Sequence, residues 1–496
     1  METTQSRLSG TRDFAGDDAR ALRRARAALE AAFERYGYAI VDPPILERAS
    51  PFLDRSGETI RRRMYIFADP GGHEVCLRPE LTIPTCRAYL RGRTSDAEAR
   101  LAYMGPAFRY DPPQEGRTRE FYQAGVELIG AQNRVAADAE ILALALDALE
   151  RGGVKDLSIV TGDIAILFAF IAGLAVDEVT KARLRRIVSR KDATERLMQA
   201  AAERAKPAAD VAPDALATLL ASIGTDKAET LLTEIYALVD LRHVGGRTPE
   251  EIVERLVTRT ALSTFEGVSR ELLEGIATLL EIRGEPDAVL AEVGDHFRAL
   301  GVPLADNVLG DCRERLDLLT AYRGGGDATS FDVGMHRGLE YYSGFVFEIA
   351  AAANPGIGHL CGGGRYDNLL QALGADAPIP AVGCAIHVDR LLLASADAAQ
   401  APRGLDAIVT ASRNADGVRV SAILRAAGWS VETELSGRDP KAVAQDAAQR
   451  NIAHIVVAGE KEIARGHVAI RRLDEREERT VPLADIAGYV AKAKRP

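Results

Sequence analysis

The chain has 496 residues, of which 47% are hydrophobic and 27% charged, with a formal net charge of −10 and five cysteines. That length is too great for one simple core and predicts two or three domains of ordinary soluble globular composition. A helical membrane anchor is excluded because no run of 18 or more apolar residues exists, and the acidic balance argues against general nucleic-acid binding, although one basic face can exist on an acidic protein.

The stretch METTQSRLSGTRDF lacks the apolar core of a secretory signal. Cys76, Cys86, Cys312, Cys361 and Cys384 are scattered, with no CxxC pair and no metal-ligand spacing. Reduced thiols in a cytoplasm are expected, with neither a zinc site nor a disulfide framework.

In chain order, residues 17–36 open with Asp17 and Asp18 and carry Leu22, Ala25, Leu29, Ala32, Phe33 and Tyr36 on one face before Gly37. This predicts an amphipathic helix. YAIVDPPIL then turns extended, because Pro43 and Pro44 block helix and favour an edge or interface strand. HEVCLRPELTIP, LAYMGPAFRY and REFYQAGVELIG read as strands, with DPPQEGR a polar loop between the last two. AADAEILALALDALERGG reads as a second helix, closed by Gly152 and Gly153. From about 171 to 325 the patterns ARLRRIVSRKDATERLMQAAAER, PDALATLLASIG, KAETLLTEIYALVDL, RELLEGIATLLEI and ERLDLLTAYR are helical, which predicts a helical insertion in a β-rich body. FDVGMHRGLEYYSGFVFEIAAA returns to β-type alternation, and CGGGRYDNLLQALG reads as a glycine turn into a helix. IPAVGCAIHVDRLLL reads as a buried strand broken at Gly383 and running into a helix with Arg390 at the join. Small residues and a fixed guanidinium at such a join suit an anionic or nucleotide ligand.

The body is therefore expected over 1–395, a linker over 396–404 and a last domain over 405–496. In that last domain LDAIVTAS, WSVETEL and IAHIVVAGE alternate with two helical patterns, which predicts βαβαβ with an antiparallel tail and a final helix. It holds 15 Lys+Arg against 13 Asp+Glu, a balance of +2 that sets it apart from the acidic whole.

Four segments place charged groups inside apolar β patterns, where a buried charge must be paired or liganded. They are Arg78-Pro79-Glu80 with Thr82; Arg109 through Arg119, ending at Gln123 and Glu127; Arg337 through Glu340 with Tyr341 and Tyr342; and Arg365 after Gly362, Gly363 and Gly364. Together they offer carboxylates for an ammonium, guanidiniums for carboxylate or phosphate, and phenols for a polar ring. A zwitterionic amino acid joined to a phosphate fits that inventory. Singly, each has a structural reading: an Arg–Glu pair in a sheet is more often structural, GGGR more often a turn, the run RRRMY more often a solvated turn, and His336 and His387 more often packed or surface histidines. Tyr341 and Tyr342 on one strand would point to opposite faces. The ensemble of four raises the functional reading.

These same segments resemble the class II histidyl-tRNA synthetase family. LSGTRDF, CLRPELT, FRYDPPQEGRTREFYQAGVELIG, HRGLEYYSGFVFE, GGGRYDNLL and PAVGCAIHVDRLLL fall in that family's order, and the last 90 residues resemble its anticodon-binding domain. The resemblance implies an α+β fold: a class II aminoacyl-tRNA synthetase-like antiparallel sheet with flanking helices, a helical insertion and a C-terminal α/β anticodon-binding-like domain. It also implies a histidine site at Glu80, Thr82, Gln123, Glu127, Arg337, Tyr341 and Tyr342, and a nucleotide site at Arg109, Arg119 and Arg390, with Arg337 and Arg109 catalytic in a ligase. A homodimer is expected through the Pro43–Pro44 region.

The family has two branches: ligases that charge tRNA with histidine, using ATP and magnesium, and histidine-sensing regulatory subunits that pair with the catalytic subunit of ATP phosphoribosyltransferase in histidine biosynthesis and need no cofactor. SPFLDRSGETIRRRMYIF, CLRPELTIPTC, AADAEILALALDAL and HVGGRTPEEIVERL resemble a subset of the regulatory branch. Where the ligase motif has Gly-x-Glu-Arg, this chain reads His387-Val388-Asp389-Arg390. An imidazole in a space fitted for glycine is expected to cost about 1–3 kcal/mol, roughly tenfold in nucleotide affinity per 1.4 kcal/mol. The expectation is accordingly a regulatory, histidine-sensing subunit, with the ligase as the opposing reading. The full-length DPPQEGRTRE loop and the retained C-terminal domain favour the ligase.

Overall fold

In the computed structural model the chain forms two compact units, Met1–Ala398 and Ala399–Pro496. The structure describes residues 7–55, 61–92, 98–112, 116–190, 192–204, 268–304, 306–323, 329–335, 341–395, 405–473, 475 and 477–493. PDALATLLASIG, KAETLLTEIYALVDL, HVGGRTPEEIVERL, His336 and Arg337 lie outside them. No helix among the described residues is long and apolar enough to cross a membrane.

The strands of the first unit are β1 (Ala39–Ile40), β2 (Leu46–Arg48), β3 (Tyr65–Ala68), β4 (Glu74–Leu77), β5 (Ala99–Phe108), β6 (Glu120–Ile129), β7 (Leu157–Asp163), β8 (Arg283–Gly284), β9 (Thr329–Asp332), β10 (Phe345–Ala351), β11 (His359–Arg365) and β12 (Ala381–His387). Nine of them form one sheet in the order β1-β5-β6-β12-β11-β10-β7-β9-β8, and β2-β4-β3 form a second. The large sheet is antiparallel except at the β1–β5 and β7–β9 pairs. The fold is the α+β class II synthetase-like architecture that the sequence predicts.

Strand alternation gives the central strands two unlike faces. Ala124, Val126 and Leu128 of β6, with Val382, Cys384 and Ile386 of β12 and Phe345 and Phe347 of β10, point into one apolar core. That core is closed by Leu22, Leu29 and Phe33 of the helix Gly16–Arg35 and by Ile141, Leu142 and Leu149 of the helix Arg134–Arg151. The opposite face carries Gln123, Gly125 and Glu127 of β6, which stand beside His387, Ala385 and Gly383 of β12. Next along, Gly362 and Gly364 of β11 stand beside Ala385 and Gly383.

Three readings of local structure are corrected here. The glycines of CGGGRYD form no turn; they are buried mid-strand in β11. A Cβ on Gly363 would lie 2.4 Å from the Gly383 carbonyl oxygen and 2.6 Å from the Phe347 ring, so close packing of neighbouring strands requires the hydrogen. Likewise β12 runs unbroken through Gly383 into the helix Val388–Ala394. HEVCLRPELTIP is a strand only to Leu77, because Glu80 caps a helix over Thr82–Gly92.

The described part of the insertion is helical, with Glu178–Val188, Ala193–Arg204, Arg270–Leu279, Pro286–Ala299 and Asp306–Arg323. These five helices share with the helix Ile164–Gly173 a core around Leu184, Leu197, Leu273, Leu290 and Phe297, to which Asp306–Arg323 adds Leu309 and Cys312. That last helix is tied to the sheet by buried charges. Arg315 donates from Nε to Asp138 (3.1 Å) and pairs through Nη1 with Asp163 (3.2 Å). Arg365, at the end of β11, donates from Nε to the other Asp138 oxygen (2.9 Å).

The second unit has β13 (Ala407–Ala411), β14 (Val431–Thr433), β15 (His454–Ala458), β16 (His467–Arg472) and β17 (Glu477–Pro482) in the order β14-β13-β15-β16-β17. The first three are parallel and the last two antiparallel, as the alternating pattern predicts. All five cysteines are free and buried.

Arg78, 1% exposed, is a structural clamp. Its guanidinium donates to the carbonyl oxygens of Pro43 (2.5 Å), Pro44 (3.3 Å) and Pro106 (2.8 Å), holding the extended Pro43–Pro44 segment against β5. Arg78→Met would leave these buried carbonyls without their donor. We expect it to lower stability by about 2–4 kcal/mol, read as an earlier urea transition of the first unit.

Candidate functional site

The helix Thr82–Gly92 starts where it does because Glu80 turns back on it. The Glu80 carboxylate accepts from the backbone N–H of Thr82 (2.7 Å) and of Ile83 (2.9 Å), donors otherwise orphaned at a helix start. The Gln123 side-chain oxygen accepts from the next such group, the Leu81 N–H (3.0 Å). This brings Glu80, Thr82 and Gln123 onto the glycine-rich face of the sheet, beside Glu127.

Glu127 is 1% exposed. The Tyr366 hydroxyl donates to its Oε2, while Oε1 has no hydrogen-bond partner among the described residues. Its carboxyl has room only because Gly383 stands opposite, where a Cβ would lie 1.7 Å from Oε2. Burial pushes the carboxyl up to about 8, against the opposing hydrogen bonds of Tyr366 and Thr82. Burial also raises Glu80, which the Ile83 and Thr82 N–H groups and the nearby Arg109 charge partly offset. Two carboxyls buried together, one oxygen lacking any donor, make a site that gains when a cation arrives.

Tyr103, Tyr341, Tyr342 and Tyr366 surround this pair. The Tyr103 hydroxyl lies 3.4 Å from that of Thr82 and donates to the Cys384 carbonyl oxygen (3.3 Å). Tyr341 and Tyr342 precede β10 and so escape strand alternation: their rings lie 4.9 Å apart, and Tyr341 meets Tyr366 edge-on at 5.7 Å. The Tyr342 ring lies over Gly364, whose Cβ would meet it at 2.9 Å. The expectation that the two phenols point apart is therefore corrected.

Arginines gather toward the β6–β12 end. Arg109 donates from Nε to the Pro79 carbonyl oxygen (2.8 Å), and its guanidinium lies 5.1 Å from the Phe121 ring centre. Arg119 lies 4.2 Å from the Tyr110 ring, with its Nε buried and unpaired among the described residues. Arg390 donates to the carbonyl oxygens of Gly116 (2.8 Å) and His359 (2.7 Å). Burial, with Arg117 and Arg109 nearby, pushes its guanidinium down to about 10. Burial likewise lowers Arg109, opposed chiefly by Glu80. Like charges held this close favour a polyanion.

His387 stands at the join of β12 and the helix Val388–Ala394. Its ring leans on Phe121 at 5.3 Å and meets His359 edge-on at 5.3 Å. Asp389 does not orient Arg390; its carboxylate accepts from the Tyr122 N–H (2.6 Å) and so pins the helix Val388–Ala394 to β6. Arg78 and Arg365, counted with the ligand-facing guanidiniums, are occupied by internal partners. The structure thus brings together Glu80, Thr82, Gln123, Glu127, Tyr341 and Tyr342 at one end and Arg109 and Arg390 at the other, while Arg337 lies outside the described residues.

Sequence reasoning passed over Tyr103, Phe121 and Tyr366. Alternation along β5 would have found the first, since Tyr103 pairs with Gly125 on the face of Glu127. A cleft of about 320 Å³ lined by Glu285, Asp287, Arg313, Asp317 and Arg323 is separate and shares no residue with this face.

A sequence profile described as histidyl-tRNA synthetase matches residues 10–252 and 249–391, and one described as anticodon binding domain matches 407–493. The histidine–tRNA ligase of Pyrococcus furiosus is 30% identical over 98% of this chain and 99% of its own. That of Methanocaldococcus jannaschii is 29% identical over 97% and 98%. Among solved structures, histidyl-tRNA synthetase from Nostoc shares the fold with a TM-score of 0.65 at 18% identity, covering 99% of this chain and 100% of its own. A Bacillus halodurans protein titled ATP phosphoribosyltransferase regulatory subunit/histidyl-tRNA synthetase does so at 0.61 and 21%, covering 92% and 99%. The expectation of a regulatory subunit in histidine biosynthesis, with an ATP phosphoribosyltransferase catalytic partner, is corrected by these comparisons. Full-length relatives at about 30% identity are ligases, and the Bacillus likeness extends to fold alone.

Gly383→Ala tests the construction of the carboxylate site. Its methyl group would meet Glu127 Oε2 and the Val126 carbonyl oxygen, 2.5 Å away, in a packed sheet. We expect a folded protein destabilised by about 1–3 kcal/mol, with ligand binding at Glu127 lost, measured by thermal melting and calorimetric titration.

Proposed function

The chain belongs to the histidyl-tRNA synthetase family, and we propose that it is a histidine–tRNA ligase that activates histidine with ATP and transfers it to tRNA. The observation that carries this reading is the buried Glu127 Oε1, without a partner among the described residues, beside Glu80 and a few residues along the same strands from the arginine cluster. An ammonium fits the first place and a triphosphate the second.

In this reading Glu80 and Glu127 hold the histidine ammonium, with Thr82 and Gln123 fixing the helix start around it. Tyr341, Tyr342 and Tyr366 bound the space for the imidazole. A histidine carboxylate oxygen attacks the α-phosphorus of ATP and pyrophosphate leaves. Arg109 offsets the charge growing on the α-phosphate, with Arg337 expected to share that role, and Arg390 and Arg119 hold the outer phosphates. A tRNA ribose hydroxyl then attacks the acyl carbon and AMP leaves. Among the described residues no group of three His, Cys, Asp or Glu side chains could hold a metal ion. Magnesium commonly binds through substrate phosphates with few protein ligands, so it would arrive with the nucleotide, and no step here is routed through it.

The C-terminal unit, matching an anticodon-binding profile and carrying a positive balance, would take the tRNA. Exposed Ile40, Ile45, Leu46 and Phe67 around β1–β3 offer an apolar patch to a second copy, supporting a homodimer.

The purified protein should catalyse histidine-dependent ATP–pyrophosphate exchange and charge histidine tRNA; histidine binding without exchange would overturn the ligase reading. Removing a charge-assisted contact to a ligand typically costs about 2 kcal/mol, so Glu80→Gln should raise the KM for histidine roughly 30-fold.

The pH dependence follows from Glu127. Its folded-state value lies near 8, above the ordinary carboxylate range, so it is protonated at neutral pH without ligand. A raised carboxyl contributes stability that is present at acid pH and lost as pH rises through 8. An arriving ammonium favours the ionised form, so histidine binding at pH 7 should release a proton to buffer. Calorimetry in two buffers of different ionisation heat should show that release, and Glu127→Gln should abolish Glu127's share of it.

A further inference from the structure

Tyr366 is the one described donor to Glu127 Oε2, and it stands between two charged neighbours whose partners come from distant parts of the chain. Arg365 donates to Asp138 from Nε (2.9 Å) and Nη2 (2.6 Å), to Asp367 from Nη1 (2.9 Å) and to the Arg134 carbonyl oxygen (2.9 Å). Asp367 accepts from the Ala381 N–H (3.0 Å), and its own N–H donates to Ser343 Oγ (3.0 Å). The Tyr366 N–H donates to the Ala381 carbonyl oxygen (2.8 Å). The phenol is thus aimed from both sides along the backbone.

The far anchor is Arg315, 7% exposed on the helix Asp306–Arg323. It meets Asp138 at 3.1 Å and Asp163 at 3.2 Å, and lies 4.5 Å from the Phe345 ring centre. Two buried arginines, Arg315 and Arg365, therefore serve the buried acids Asp138 and Asp163 and the nearby Asp367. Without Arg315, Asp163 loses its ion pair and Asp138 keeps Arg365 as its one arginine partner among the described residues. Either Arg365 swings toward them or an acid takes a proton, and either change re-aims the single hydrogen bond from Arg365 Nη1 to Asp367.

We propose that Arg315, on the helix that ends the insertion, is a positioning residue for Tyr366 and, through its hydroxyl, for Glu127. The chain of contacts runs Arg315, Asp138, Arg365 with Asp367, Tyr366, Glu127, each link a hydrogen bond or peptide bond. The inference rests on the histidine reading of the Glu127 site and names a device behind it.

The Glu127 carboxyl is faced by Glu80 and Thr82 at the start of the helix Thr82–Gly92, Cys86 within it, Tyr103 of β5, Cys384 of β12 and Tyr366 after β11. Of these Tyr366 donates a hydrogen bond to Oε2 and favours the ionised form. Displacing Tyr366 while leaving the others in place should make Glu127 harder to ionise.

The test compares the wild-type protein with Arg315→Met and Arg315→Lys. Network substitutions of this kind shift coupling by about two- to thirtyfold. Arg315→Met should raise the KM for histidine within that range with kcat little changed, and move the acid limb of kcat/KM to higher pH. Arg315→Lys, which keeps the charge without the fork, should lie between. A fold defect alone would lower the active fraction and leave KM and the pH limb where they were, and that result overturns the proposal. Should Arg315→Met not fold, Arg315→Lys carries the test, and unchanged KM and pH limb in it overturn the proposal equally. A readout without activity separates this from failure of the ligase reading. The infrared band of the protonated carboxyl that Glu127→Gln removes should titrate at higher pH in the Arg315 variants; the same pH in all three overturns the positioning role even if the wild type shows no exchange.

Discussion

Two carboxyl groups buried side by side on an apolar sheet are the constraint around which the first unit is arranged. Glu80 and Glu127, 3% and 1% exposed, meet only neutral donors within the described residues, two backbone N–H groups on Glu80 and a phenol on one oxygen of Glu127. Their mutual repulsion and desolvation would be intolerable if both were ionised without a cation. The structure accommodates the acids by keeping one protonated and by surrounding both with groups that donate without carrying charge. A site of this kind is stable when empty and more strongly held together when an ammonium occupies it.

The same constraint explains the glycines. A carboxyl can lie flat across a sheet only where the neighbouring strands lack side chains, and Gly383 and Gly364 stand in register beside Glu127. The opposite face has no such need and fills with Val126, Val382, Ile386 and Phe347 against the helices. One sheet therefore has a closely packed side that supplies rigidity and a thinly covered side that supplies room. Rigid strands are the better support for a site whose geometry must hold within tenths of an ångström.

Much of this was legible from residues alone. The helix over 16–35 shows its period through Leu22, Leu29 and Phe33, and the βαβαβ order of the C-terminal unit shows in its alternating runs. The charged segments announced themselves because a charge inside an apolar pattern is conspicuous. What stayed hidden depended on pairing across the chain. Whether Arg78 or Arg365 meets a ligand or a carbonyl cannot be told from its neighbours in sequence, and both turn out to be held internally. CGGGRYD carries every local sign of a turn, and only the strands on either side make it β11. Tyr366 was overlooked because its partner Glu127 is 239 residues away. The choice between the two family branches rested on four resembling stretches and on the volume of His387, and the full-length ligase relatives favour the other branch.

The burial of all five thiols has a consequence for how the molecule ages. Burial raises the Cys76 and Cys312 thiols to about 12, and Cys86 and Cys384 are raised as well, Cys384 first by its neighbour Cys361. Thiolate is the reactive form, so oxidants and alkylating reagents find almost no target while the chain stays closed. Labelling then proceeds only through transient opening, and each cysteine becomes a clock for the part of the core that covers it. Cys86 times the region under Tyr366, Cys312 the insertion, and Cys361 with Cys384 the centre of the large sheet.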